Sequence, residues 1–149
     1  MPKEFYYFIA FIAGSGIAVQ SGANAQLRLL INNPLITALI SFLVGTITLV
    51  ILVLTTAHKE LPTAQTLTHI AWWKWLGGIM GAFYICSVVI TAPKIGAANT
   101  LGFVMAGQLL FAVLFDHFGW LGFNIHAVSP MRIVGVALLL LGIYLVQKY

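Results

Sequence analysis

The chain has 149 residues, of which 61% are hydrophobic and only 7% charged, with a formal net charge of +4. Its mean hydropathy of +1.03 stands far from that of a soluble domain, in which roughly 25% of residues are charged. These values exclude a water-soluble enzyme and a basic nucleic-acid-binding domain, and they describe a chain built for a bilayer.

A helix needs about 20 residues to cross a hydrocarbon core roughly 30 Å thick. Five apolar stretches meet that requirement and predict transmembrane helices over 5–27, 35–57, 72–93, 95–115 and 131–147. Long period-2 alternation, the mark of a membrane β-barrel, is absent. The expected fold is all-α, an integral membrane protein with five spans in a single domain covering 1–149, because the longest connections leave no room for a separate soluble one.

The first predicted helix carries the most information. The stretch "GSGIAVQSGANAQLRLLI" puts Gln20 and Asn24 where a span should be most apolar. At 100° per residue Ala13, Gly16, Gln20 and Asn24 fall within about 80° of one another and form a polar stripe. Gly14, Ala18 and Gly22, at four-residue spacing, form a second stripe of small residues that lets another helix approach closely. An amide facing lipid would lose its hydrogen bonds at a cost of several kcal/mol, so the polar stripe should face a helix or a wet cavity. "ANAQ" resembles a signal-cleavage site, but Lys3 beside Glu4 is a poor basic n-region, and the segment is expected to be retained.

The second helix carries no Asp, Glu, Lys or Arg. Gly77 and Gly81 in the third make a further packing ridge, while Tyr84 and Ser87 offer hydroxyls one turn apart. Cys86, the only cysteine, can form no intrachain disulfide and reads as a small core residue. In the fourth helix Asn99 shares a face with Gly102, Phe103 and Ala106, and Gln108 lies about half a turn away. The candidate substrate-binding residues are therefore Gln20, Asn24, Tyr84, Ser87, Asn99 and Gln108. The connection "DHFGWLGFNIHAVSP" carries rings that favour the headgroup zone and leads into the fifth helix.

No Asp or Glu falls inside a predicted span, so a carboxylate that alternates between proton and cationic substrate is not expected. Amides and rings without a buried fixed charge suit a neutral or amphiphilic molecule. His58, His69, His117 and His126, at spacings of eleven and nine residues within each pair, match no compact metal-ligand pattern. No metal site, cofactor, phosphate loop, nucleophile elbow or nucleic-acid partner is expected, and the chain is not read as an enzyme.

Threaded alternately, the five spans put Lys3, Lys59, Lys74 and Arg132 on one side and Arg28, Lys94 and Lys148 on the other. Four against three is almost no bias, and the positive-inside rule needs an excess of Lys and Arg to choose an orientation. Dual topology follows as an expectation. Opposed copies can then pair into a ten-helix unit of the inverted-repeat kind, each chain serving as a transporter half.

Three segments carry a family likeness: "GIAVQSGANAQLRLLINNPLITALISFLVGT" from Gly16, "GAANTLGFVMAGQLLFAVLFDHFGW" from Gly96 and "RIVGVALLLLGIYLV" from Arg132. With Asn32 and Leu35 before the second helix, Gly107 to Leu109 in the fourth, and Asp116 with Gly119 after it, they resemble the five-helix YdcZ family of the drug/metabolite transporter superfamily. The resemblance implies a bacterial inner-membrane exporter of small molecules. It implies an antiparallel homodimer or a pairing with a homologous subunit, with the first, third and fourth helices of each half lining a central cavity. It assigns no substrate and no catalytic residue. A passive channel and a non-transporting partner subunit stand as alternatives.

Overall fold

A computed structural model describes residues 2–149. All regular structure among them is helical, and five helices are long and apolar enough to span a membrane: Lys3–Ile31, Pro34–Glu60, Trp72–Ile95, Ala97–Phe118 and Pro130–Lys148.

Helix α1, Lys3–Ile31, has 29 residues and is therefore about 43 Å long, enough to cross both the hydrocarbon core and the headgroup zones. The motif Asn32-Asn33-Pro34 ends it and starts the next. Asn32 takes the left-handed conformation at φ 58°, and its N–H donates to the Arg28 carbonyl at 2.7 Å, as a C-capping Asn does. Asn33 then caps α2, Pro34–Leu52, by accepting from the N–H groups of Leu35 and Ile36 at 2.9 and 3.2 Å. Pro34 opens the helix where no N–H is needed. Two consecutive asparagines thus make a hairpin of minimal length.

The end of α2 widens into a π turn at Val53–Ala57 and tightens into a 3-10 turn at His58–Glu60. Thr55 and Thr56 sit in the π turn and donate back to the Ile51 and Leu52 carbonyls at 2.9 and 2.7 Å, competing with the backbone ladder as mid-helix hydroxyls do. A short helix α3, Ala64–Thr68, capped by Thr63, and a 3-10 turn at Trp72–Trp75 lead into α4, Leu76–Ile95. Gly96, at φ 85°, turns the chain into α5, Ala97–Phe118, in a conformation open to glycine because it has no Cβ. Gly119 at φ 63° stops α5. Ser129 caps α6, Pro130–Lys148, accepting from the Arg132 N–H at 3.3 Å.

The chain divides into two compact units, Met1–Ile90 and Thr91–Tyr149. In the first, a small core gathers Ala38 of α2 and Ile85 and Val89 of α4, with Tyr84 and Cys86 packed against it. Gly81 faces the Phe42 ring, where an added Cβ would lie 3.5 Å away. The second unit is built on the antiparallel pair α5 and α6. Gly102 lets Ile143 come within 3.4 Å of the place a Cβ would take, and at the other end Arg132 pairs with Asp116.

Candidate functional site

Helix α1 presents three distinct faces. On one, Ser21 and Asn24 are buried to 3% and 5% exposure, and the Ser21 Oγ and Asn24 Nδ2 atoms have no hydrogen-bond partner among the described residues. Asn24 lies seven residues before the end of α1, about 10 Å along the helix axis, and Ser21 about 15 Å, so both belong to the hydrocarbon depth. A buried donor left unpaired costs about 1–3 kcal/mol. Such groups call for a partner that the isolated chain does not supply.

Arg28 continues the same face one turn further on. Its Nη1 donates to the carbonyls of Val89 at 2.6 Å and Ile90 at 3.2 Å. The reason lies in α4: Pro93 sits inside that helix and has no N–H to return to the carbonyl four residues earlier, which is that of Val89. Val89 is 1% exposed, so water could not easily replace the missing donor. The guanidinium supplies it, adding a charge-assisted bond of about 1.5–3 kcal/mol near the negative end of the α4 dipole. This bond joins the C-terminal ends of α1 and α4, as alternate threading requires.

Gln20 opens onto a second face. It lines a cleft of about 190 Å³ with Ser41, Phe42, Gly45, Thr46 and Leu49 of α2. The cleft therefore combines an amide and two hydroxyls with an aromatic ring, a set that can hold a polar group beside an apolar body. The third face is the small-residue ridge. Among the described residues nothing stands within 4 Å of a Cβ placed at Gly14 or Gly22, and Ala18 is exposed, so the ridge is uncovered in the single chain. Gly77 of α4 is equally open, whereas Gly81 receives Phe42.

The other expected site residues are distributed less tightly. Tyr84 packs against the aliphatic core of the first unit. Ser87 donates to the Phe83 carbonyl of its own helix at 2.8 Å. In the second unit Asn99 Nδ2 donates back to the Ile95 carbonyl at 2.9 Å, while its Oδ1 and the buried Thr100 Oγ1 each have no hydrogen-bond partner among the described residues. Gln108 is exposed on α5. Thus the structure groups Gln20 with Ser41 and Thr46 and Asn24 with Ser21, while Asn99 and its neighbour Thr100 each keep an unpaired oxygen among the described residues. Four of these, Ser21, Ser41, Thr46 and Thr100, escaped a reading that weighed amides above hydroxyls. Their signal was the i, i+3, i+7 spacing of Ser21, Asn24 and Arg28, and the four-residue spacing of Ser41 and Gly45.

Because α5 runs to Phe118, Asp116 occupies its last turn, where Arg132 Nη1 stands 3.4 Å from Oδ2 and 3.2 Å from the His126 carbonyl. His117 Nδ1 accepts from the Val128 N–H at 3.2 Å. These bonds tie down the connection between α5 and α6.

Five apolar spans with amides and hydroxyls held at membrane depth define a polytopic helical membrane protein of the transporter type. A family model described as "Putative inner membrane exporter, YdcZ" matches residues 5–145, and the chain belongs to that family. It is also 28% identical over 142 residues, 94% of either chain, to "Inner membrane protein YdcZ" of Escherichia coli (strain K12). No solved structure matches the chain. It is a multi-pass protein of the inner membrane.

Proposed function

We propose that this chain is one half of a small-molecule exporter, completed by a second copy inserted in the opposite orientation, and that it carries a neutral or amphiphilic compound without chemical conversion. The observation that carries this reading is the buried pair of unpaired donors, Ser21 Oγ and Asn24 Nδ2, at a depth where hydrocarbon cannot satisfy them. A substrate acceptor group, with water between turnovers, meets that need. The Gln20 amide of the same helix, with the Ser41 and Thr46 hydroxyls of α2 in its cleft, provides a second polar contact.

The uncovered ridge of Gly14, Ala18 and Gly22 supports assembly, since small residues at four-residue spacing let helices pack backbone to backbone. The near balance of Lys and Arg between the two sides supports opposed insertion. Two such halves form a pseudo-symmetric pair whose rocking would expose the polar groups to one side and then the other. The test is transport in sealed proteoliposomes, with candidates taken from a thermal-shift screen of metabolites and drugs. Saturable export by the chain alone, lost in Asn24→Leu, is the expected result. A conductance that never saturates would replace the exporter with a passive channel, and activity only with a homologous subunit would replace the homodimer.

A further inference from the structure

The second unit carries two apolar grooves beside the α5 and α6 pair, and Arg132 borders both. One, of about 410 Å³, also contains Asp116. The other, of about 420 Å³, is lined by aliphatic side chains that include Leu110, Leu114, Ile133, Ala137 and Leu140, with Arg132 its one charged residue. Both volumes lie within the range of about 300–1,000 Å³ usual for ligand sites. Their electrostatics differ: a carboxylate borders the first, and only a guanidinium borders the second.

That guanidinium is not saturated. Nη1 alone makes the bonds to Asp116 and the His126 carbonyl, at 3.4 and 3.2 Å, and the Arg132 side chain is 37% exposed. Among the described residues Nη2 and Nε make no hydrogen bond and remain as donors, in the first turn of α6, where the helix dipole adds positive potential. The same end of the unit carries a stacked pair, Phe118 and Trp120, with ring centroids 5.0 Å apart. Trp120, in the 3-10 turn just beyond the end of α5, is half exposed, and Trp at the end of a spanning helix marks the level of the lipid headgroups. An aliphatic channel along two membrane helices with an arginine at headgroup level has the two-part chemistry of an anionic phospholipid. We infer that this groove binds one such lipid from the surrounding leaflet, its acyl chain against Leu110, Leu114 and Ala137 and its net-negative headgroup on Arg132, where the choline cation of a zwitterionic lipid would be repelled. The Asp116 groove excludes the headgroup by like charge, so binding is confined to one side of the helix pair.

The test adds phosphatidylglycerol or phosphatidylcholine of matched acyl chains to the purified full chain in detergent and counts bound lipid by native mass spectrometry. Phosphatidylglycerol should bind roughly fivefold more tightly, the effect of one basic side chain at an anionic surface. Arg132→Gln should reduce it to the level of phosphatidylcholine. Ala137→Trp, which fills the groove while leaving the Arg132 to Asp116 pair intact, should weaken both lipids. If Arg132→Gln does not fold, Ala137→Trp carries the test alone. Equal affinity for the two lipids in the native chain overturns the inference, as does lipid binding unaltered by Ala137→Trp. A shift from dimer to monomer in that variant, with lipid retained, would give the groove to a second copy.

Discussion

Arg28 and Pro93 explain one another. A proline near the end of α4 strands the Val89 carbonyl, and an arginine from α1 answers it at 2.6 Å. Arg28→Ala should therefore lower stability by about 1.5–3 kcal/mol, the range for a charge-assisted bond, read as thermal unfolding in detergent. The loss should shrink in a Pro93→Ala background, because the restored N–H satisfies Val89 from within the helix; an undiminished loss in the double variant would show that the two residues are independent. Asn24 behaves in the opposite sense. Its Nδ2 has no partner among the described residues, so Asn24→Leu, an exchange that keeps the branched shape of the side chain, should leave the unfolding midpoint unchanged or raise it, since an unpaired polar group is removed. Substrate affinity should fall by roughly 1–3 kcal/mol in the same protein. A destabilised Asn24→Leu with full affinity would make the amide part of the scaffold and remove it from the site.

At the scale of helices, glycines that look alike in sequence divide into two kinds. Gly102 lies 3.4 Å from Ile143 by its would-be Cβ, while Gly14 and Gly22 meet nothing. Gly102→Leu should therefore loosen the α5 and α6 pair within one chain. Gly14→Leu and Gly22→Leu should leave the protomer folded and abolish the dimer, which size-exclusion with light scattering in detergent distinguishes. Dimers that survive both changes would assign that ridge to lipid. The spans themselves were legible, because nothing but a bilayer accounts for five apolar runs of such length, and the Asn32, Asn33 and Pro34 turn is encoded by residues whose capping chemistry is local. The π turn at Val53–Ala57 was not legible, since hydropathy is blind to how hydroxyls such as Thr55 redirect a helix. Nor was the division between Gln20 and Asn24. A helical wheel sets them about 40° apart, yet packing buries one and opens the other to a cleft. Arg28 entered only the count of bases on one side, because its partners, two carbonyls more than sixty residues away, leave no trace in composition.

For the whole molecule the question is which way the chain enters the membrane. Alternate threading of the five spans puts Lys3, Lys59, Lys74 and Arg132 on one side of a membrane and Arg28, Lys94 and Lys148 on the other. Orientation follows the excess of Lys and Arg near the span ends, and an excess of one leaves the two insertions close in free energy. The proposed homodimer of opposed copies needs both, so on that proposal the balance matters as much as any side chain. The native chain should place its C-terminus on each side of the membrane in comparable amounts, measured by labelling a cysteine added after Tyr149 with an impermeant reagent. Gln65→Lys, at an exposed position in α3, raises the excess to two and should drive most C-termini to the outside. Gln147→Arg makes the count four against four and should draw them back toward the cytoplasm. Transport should fall in Gln65→Lys and recover when that chain is expressed together with one biased the other way, because the mixture again supplies both halves. A native C-terminus more than about nine-tenths on one side, unmoved by either substitution, would exclude self-pairing in opposite orientations and leave a homologous subunit as the missing half.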